Sequence, residues 1–267
     1  MLRRSLTAVF AVVLAGVSVG CDDPAVRVSY RPKVGTTTRY ELRVTTTSQT
    51  HLVGEPPKDR NDSFVLRSDQ RVRRSGPGAD TQESVRLSGE GQKSRDFVVR
   101  FDRAGQLATV ESVEGAPPNA TLGNLGISEL LPSAAGALPR QALRPGDRWR
   151  ISQLLRIGSL RAGRLVGWGR LASLGVSHGT KLAVVDTEVA LPVDRITDLD
   201  TGGTSRLVGS VRTTMHVVQR VKDGVVLQAR AHSVGRYHVT LSPPGDLVAP
   251  PVTGTLTVTV SSTTKAR

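Results

Sequence analysis

The residues that could carry chemistry in this 267-residue chain fall in three places. The first is the only cysteine, Cys21, which directly follows an apolar run. The second is Ser177, which lies between two glycines in the stretch GVSHG. The third is a set of arginines and histidines at even-numbered positions between 212 and 232. Each predicts a different function: lipidation, nucleophilic catalysis and anion binding.

The stretch GVSHG, 175–179, has the G-x-S-x-G pattern of a serine nucleophile. Such a serine needs a turn between a strand and a following helix. Here Ser177 is followed by TKLAVVDTEVA, which is rich in β-branched residues and favours a strand. The sequence therefore favours a turn between two strands. A serine hydrolase that uses Ser177 is only the third functional hypothesis, and we expect no enzyme.

The N-terminal twenty residues have the organisation of an export signal. Arg3 and Arg4 are followed by an apolar run from Leu6 to Val19. This run is too short to span a bilayer, which needs roughly twenty residues. A charged start, a short apolar run and a small-residue end are typical of a secretory signal peptide. We expect residues 1–20 to be this peptide.

The end of this segment, Val17-Ser18-Val19-Gly20-Cys21, resembles the lipobox of bacterial lipoproteins. It departs from the usual pattern at Ser18, where leucine is common. The resemblance implies cleavage between Gly20 and Cys21 and diacylglyceryl transfer to the Cys21 thiol. It also implies palmitate-type acylation and a lipid-anchored location on the extracytoplasmic face of the cell membrane. Two or three acyl chains anchor a protein stably, whereas one alone is marginal.

The charge of the chain fits such a location. The formal net charge is +13, and loss of Arg3 and Arg4 with the signal peptide leaves +11. Anionic headgroups and envelope polymers are the expected partners, because a basic side chain near an anionic membrane contributes about 1 kcal/mol. No nucleic-acid partner is expected for an exported lipoprotein. Aromatic residues are only 3% of the chain, which argues against a site built from ring platforms for sugars.

The remaining sequence predicts a mainly β fold. Short β-branched runs alternate with turn residues, which favours an antiparallel curved sheet or half-barrel over 26–267, after a short tether at 21–25. An alternative is two similar halves, 26–116 and 149–267. The stretch 119–143 predicts a short helical crossover. With Cys21 acylated no disulfide is available, so the stability must come from burial.

One hairpin can be placed in register from its apolar pattern. A three-residue loop, Lys222-Asp223-Gly224, would pair Val221 with Val225 and set Gln219 opposite Leu227. The same register would pair Val217 with Ala229 and Met215 with Ala231. One face of the hairpin is then almost wholly apolar. The opposite face is cationic, and its candidate anion-binding residues are Arg212, His216, Arg220, Arg230 and His232. The arginines would repel a divalent cation, so we predict no metal site and no cofactor.

Two further resemblances bear on function. The stretch LPRQALRPGDRW, 138–149, resembles one in uncharacterised secreted bacterial lipoproteins, with a turn at 145–147 and Trp149 starting a strand. The curved sheet with a helical crossover is similar to lipoproteins that carry lipids in a half-open barrel. The leading hypothesis is a non-enzymatic envelope protein that binds a ligand or partner, with a lipid or amphiphile as one candidate. The alternative is a structural or interaction module without a small-molecule site.

The lipobox interpretation predicts that Cys21 is the only acylated residue. Cells fed labelled palmitate should incorporate it into the wild-type protein, and a Cys21→Ser variant should lose the label because serine cannot form the thioether. Gel autoradiography of the immunoprecipitated protein measures this. Label retained by the variant would contradict the prediction.

Overall fold

The computed structural model describes nine segments of the chain: residues 25–76, 80–89, 94–101, 107–113, 138–139, 141–157, 160–199, 202–244 and 249–267. They contain eleven strands: β1 (Thr37–Leu52), β2 (Lys58–Arg74), β3 (Thr81–Gly89), β4 (Arg95–Phe101), β5 (Leu107–Val113), β6 (Arg148–Ile157), β7 (Leu160–Ser177), β8 (Thr180–Asp198), β9 (Thr204–Arg220), β10 (Val226–Ser242) and β11 (Val252–Ala266). No helix long and apolar enough to cross a membrane occurs in these nine segments.

All eleven strands belong to one curved sheet. Neighbours in sequence pair antiparallel from β1 to β5 and from β6 to β11, and β1 also pairs antiparallel with β11. The two remaining edges, β5 and β6, meet in parallel, and the described residues form two pairs there, Thr109 with Arg156 and Val110 with Ile157. This short seam closes the sheet into a barrel. The prediction of a mainly β, curved antiparallel sheet is confirmed.

Alternation of side chains along each strand separates an interior from an exterior. Along β1, Tyr40, Leu42, Val44 and Thr46 are buried, while most of the residues between them are exposed. Successive side chains of a strand point to opposite faces, so the buried set lines the interior. The core is built mainly of aliphatic and aromatic residues from most of the strands: Leu42, Val99, Phe101, Ile151, Leu171, Val185 and Val217.

One end of the barrel, the closed end, is covered by the segment 25–36. Val28 and Tyr30 of this segment are buried in the core, and the Tyr30 and Phe101 ring centroids lie 4.8 Å apart. Backbone hydrogen bonds attach the segment at both sides, from Val26 to Leu143 and from the Arg31 N–H to the Asp223 carbonyl. The first described residues after the predicted tether therefore form the cover of the closed end.

The opposite end, the open end, is asymmetric because the strands differ in length. β8 has 19 residues and β4 has seven. At about 3.3 Å per residue this is a difference of about 40 Å in strand length. The long strands β8–β11 and β1–β2 therefore extend past the short strands β3–β5, and several inward side chains near this end, such as Leu191, Leu207 and Leu241, are only half-buried.

The β9–β10 hairpin differs from the predicted register by one residue at its turn. The Arg220 N–H bonds the Val225 carbonyl, so the loop has four residues, 221–224, and not three. A bulge between Val226 and Gln228 then restores the predicted pairs, Val217 with Ala229 and Met215 with Ala231. Gln219 consequently faces Val226 and not Leu227, so the prediction was wrong at the turn and correct along the strands.

Several sequence predictions fall outside the described residues. These are the signal peptide, Cys21 with most of the tether, and the helical crossover apart from residues 138–139 and 141–143. The turn at 145–147 and a strand through Trp149 are present, with Gly146 at φ 94° and β6 starting at Arg148. Strands from both proposed halves belong to the same sheet, and a duplication stays a prediction.

Close approach of the long strands β9 and β10 depends on glycine. A Cβ at Gly209 of β9 would lie 1.9 Å from the Arg236 carbonyl oxygen of β10, whereas a Cβ at Gly175 would meet nothing within 4 Å. We expect Gly209→Ala to lower the free energy of unfolding by about 2 kcal/mol, since backbone must shift to admit the methyl group. Gly175→Ala should change it by less than about 0.5 kcal/mol. Urea unfolding measures both, and equal effects would contradict this account.

Candidate functional site

The interior of the long strands β8–β11 continues past the core as a partly exposed apolar surface. Seven side chains on β8–β11 share the inward face of the core residues but are only half-buried; we call them the inner wall: Leu191, Val193, Leu207, Val211, Tyr237, Leu241 and Leu256. They are neighbours across strands, as Leu191 pairs with Val211 and Tyr237 pairs with Leu256. The inner wall is thus one continuous apolar surface towards the open end.

Towards the open end of β8–β11, one cation among the described residues, Arg195, lies on the same inward face. Arg195 is half-buried, pairs across strands with Leu207, and donates from Nε to Thr197 Oγ1 at 3.1 Å. Among the described residues it has no carboxylate partner. The rest of its guanidinium can therefore meet an anionic group beside the apolar surface.

On the outside of the same strands lies a groove of about 640 Å³. Two rows of outward residues run across β6–β10 and form it. The first row is Arg148, Arg170, Asp186, His216 and Arg230, each paired with the next across strands. The second row includes Trp168, Glu188, Thr214 and His232, paired in the same way. We call this concave surface the outer groove.

The acidic groups of the outer groove are already paired, while three arginines are not. His216 Nδ1 lies 2.7 Å from Asp186 Oδ1, and Arg212 Nε lies 3.8 Å from Glu188 Oε1. Within the described part of the chain, no hydrogen bond or ion pair involves the guanidinium groups of Arg148, Arg170 or Arg230. The groove therefore presents net positive charge with open donor positions.

The two tryptophans have opposite environments. Trp149 is 6% exposed, and its ring packs against Gly169, where a Cβ would lie 2.2 Å from Cε2. Trp168, next to Gly169 in sequence, points outward and is 61% exposed in the outer groove. Sequence composition led us to expect no aromatic platform for a sugar, but one exposed ring is present. The sequence carried one indication of this exposed ring: Trp168 alternates with Gly169 and Leu171, which are buried, so it must point outward.

The residues of the predicted cationic face do not all lie together in the structure. His216, Arg230 and His232 line the outer groove, with His232 Nδ1 3.0 Å from Ser261 Oγ. Arg212 lies beside them as the partner of Glu188. Arg220 does not join them, because it bonds Asp223 at the closed end, where it lies near Tyr40. In the described segments no group of three potential ligands is arranged to hold a metal ion.

Ser177 lies at an exposed hairpin and not at a strand-to-helix turn. It ends β7, and His178, at φ 48°, and Gly179 lead directly into β8. Ser177 Oγ is 3.1 Å from Nδ1 of His178, its sequence neighbour. The local structure is thus the strand–turn–strand arrangement predicted, and it differs from the arrangement of a nucleophile elbow.

A buried acid lies under the cover of the closed end. Glu83 is fully buried, and Tyr30 Oη donates a hydrogen bond to its Oε1. Burial raises the pKa of Glu83 to about 7, against a smaller opposing effect of this hydrogen bond. Burial, together with the charge of Glu83, also raises the pKa of Tyr40. Glu83 Oε2, Tyr40 Oη and Gln219 Nε2 have no hydrogen-bond partner among the described residues.

Comparisons with known proteins assign no function to these surfaces. No known protein family matches the chain, and no curated protein matches it. The class defined by the fold is an all-β barrel with one covered end. Its candidate sites are an apolar inner wall with one arginine and an outer groove with one exposed tryptophan and three unpaired arginines.

Burial of Glu83 predicts a pH-dependent stability. Since its pKa is raised from 4.5 to about 7, the folded state holds a proton that the unfolded chain releases between these pH values. Stability from this group is full below about pH 4.5 and is lost as the pH rises through 7. Wild type should lose on the order of 3 kcal/mol relative to Glu83→Gln between pH 5 and 8. Urea unfolding measures this, with the exposed Glu188→Gln as control; parallel pH curves for wild type and Glu83→Gln would contradict it.

Proposed function

We propose that this chain is a lipid-anchored, extracytoplasmic protein of the bacterial envelope that binds an anionic amphiphile on its inner wall. The observation that carries the proposal is the continuation of the core's inward face as half-buried apolar residues around Arg195. A side chain that packs well in a core is usually buried completely, as Val185 and Val217 are. The inner wall has apolar surface left for a ligand.

The chemistry of this surface favours an acyl chain over a polar small molecule. Each methylene of a chain that leaves water contributes about 0.8 kcal/mol. The half-buried residues are aliphatic apart from Tyr237, so they offer dispersion contacts with few hydrogen bonds. Arg195 would bind the carboxylate or phosphate at the head of such a ligand, because a guanidinium suits planar, bidentate recognition of these groups.

The proposed anchor supports a defined orientation. Three residues separate Cys21 from Ala25, and the four extended steps between their Cα atoms reach about 14 Å at most. Ala25 begins the segment that covers the closed end. Acylation of Cys21 would therefore hold the closed end near the bilayer, so that the inner wall opens away from the membrane.

Substitution on the two faces of β9 tests the inner wall. Leu207 is on the inner wall, while its neighbour Val208 points outward and is 40% exposed. Leu207→Glu should weaken binding of a fluorescent fatty acid at least about tenfold, because a carboxylate would be desolvated by the bound chain. Val208→Glu should leave the affinity within about twofold of wild type. Fluorescence titration of the detergent-free full chain measures both.

A head-group test separates charge recognition from apolar adsorption. Arg195→Gln should weaken displacement of the fluorescent probe by palmitate about tenfold, the typical value of a hydrogen bond to a charged group, and should not affect displacement by hexadecanol. Lipid extraction and mass spectrometry of the purified protein supply the native ligand class. No extracted lipid and no binding of either probe would instead support the interaction-module alternative.

A further inference from the structure

The outer groove is a second surface with its own chemistry, on the opposite side of the same strands from the inner wall. We propose that the outer groove binds an acidic saccharide chain, with Trp168 as the platform for a sugar ring and Arg148, Arg170 and Arg230 as the ligands of its acidic groups. This site does not depend on the amphiphile-binding proposal.

The arginines carry the anionic part of the inference. Arg148 and Arg170 are cross-strand partners, and Arg230 lies further along the same row, beyond Asp186 and His216. Adjacent strands lie about 4.8 Å apart, so the row spans about 19 Å from β6 to β10. Charges separated in this way suit a chain with repeated acidic groups better than a single small anion.

Pairing of the acidic residues keeps the row cationic. Asp186 is held by His216 and Glu188 by Arg212, so neither carboxylate neutralises the three arginines by direct contact. The unsatisfied guanidinium donors are positioned to form charge-assisted bidentate bonds, which are about twice as strong as neutral hydrogen bonds. A carboxylate or sulfate group of the ligand would complete them.

Trp168 distinguishes a saccharide from other polyanions. It is an exposed ring beside the arginine row, and Glu188, its cross-strand neighbour, offers an acceptor for hydroxyl groups. The apolar face of a pyranose ring can pack on an indole, which an extended acidic polypeptide without rings or a simple inorganic anion cannot match. The combination of platform, acceptor and cations therefore favours a sugar acid.

The position of the outer groove favours a polymer over the headgroups of the protein's own membrane. The distance from the closed end differs along the row: Asp186 lies six residues from the end of β8, about 20 Å, and His216 lies four residues from the end of β9, about 13 Å, while Arg148 begins β6. The groove also faces sideways from the barrel and not through its covered end. A chain that runs past the protein in the envelope can reach this flank while the anchor remains inserted.

Titration of the mature protein in detergent with oligogalacturonate tests the site, and Trp168 fluorescence provides the signal because Trp149 is buried. We expect binding to change the fluorescence. Arg170→Ala and Arg230→Ala should each lower the affinity for oligogalacturonate about tenfold. Trp168→Ala should lower this affinity about fivefold. Calorimetry measures binding to this variant, because it lacks the fluorescent reporter. Matched controls are Arg236→Ala on the exposed side of β10 and Val166→Ala on the exposed side of β7, both outside the groove, which should retain wild-type affinity.

Two comparisons decide whether the ligand is a saccharide. A neutral oligosaccharide of equal length and polyglutamate of equal charge should both bind at least about tenfold more weakly than oligogalacturonate. Equal binding of polyglutamate, or insensitivity to Trp168→Ala, would overturn the saccharide assignment. Binding only to vesicles that contain anionic lipid would overturn it in favour of headgroups. Leu207→Glu should not alter any of these results, which keeps this test separate from that of the inner wall.

Discussion

Register across the long strands is the constraint on which both candidate sites depend. Leu207 and Val208 are adjacent in sequence, yet one belongs to the inner wall and the other is exposed to solvent. Because the side chains of a strand alternate with a period of two, a slip of one residue would exchange the two faces. Unbroken pairing along β9 with β8, from Leu182–Arg220 to Asp198–Thr204, fixes that register over 17 pairs. The same pairing thus positions the apolar row inside and the arginine row outside.

Much of the fold could be predicted because strands and their faces follow from local pattern. The β-branched runs gave the strands, and apolar alternation gave the pairs Met215–Ala231 and Val217–Ala229. The four-residue loop at 221–224 could not be predicted the same way, because the bulge at 226–228 compensates for it and leaves the downstream pattern unchanged. A sequence pattern reports the register of the strand body, whereas a turn and a bulge can cancel each other.

The sites were less predictable, since they depend on relations between distant strands. Three of the five predicted cationic residues line the outer groove, but Arg148 and Arg170 join them from β6 and β7, which no local pattern connects with β10. Arg220 has the right parity and still lies elsewhere, because it ends β9 four residues beyond His216, where it bonds Asp223. Glu83 lies in TQESVRLSG, which has the composition of a solvent-exposed strand. Its burial depends on the segment 25–36, far away in sequence.

The way that segment 25–36 is attached has a mechanical consequence. It is bonded to three separate parts of the chain: Gly35 and Thr36 bond Val72 of β2, while Val26 bonds Leu143 before β6 and Arg31 bonds the turn between β9 and β10. Between Val26 and Arg31 it crosses the backbone of Gly224, where a Cβ would lie 2.5 Å from the Ser29 carbonyl oxygen. A force applied at Ala25 would therefore act on hydrogen bonds to two loops and to β2 instead of peeling one strand from the sheet.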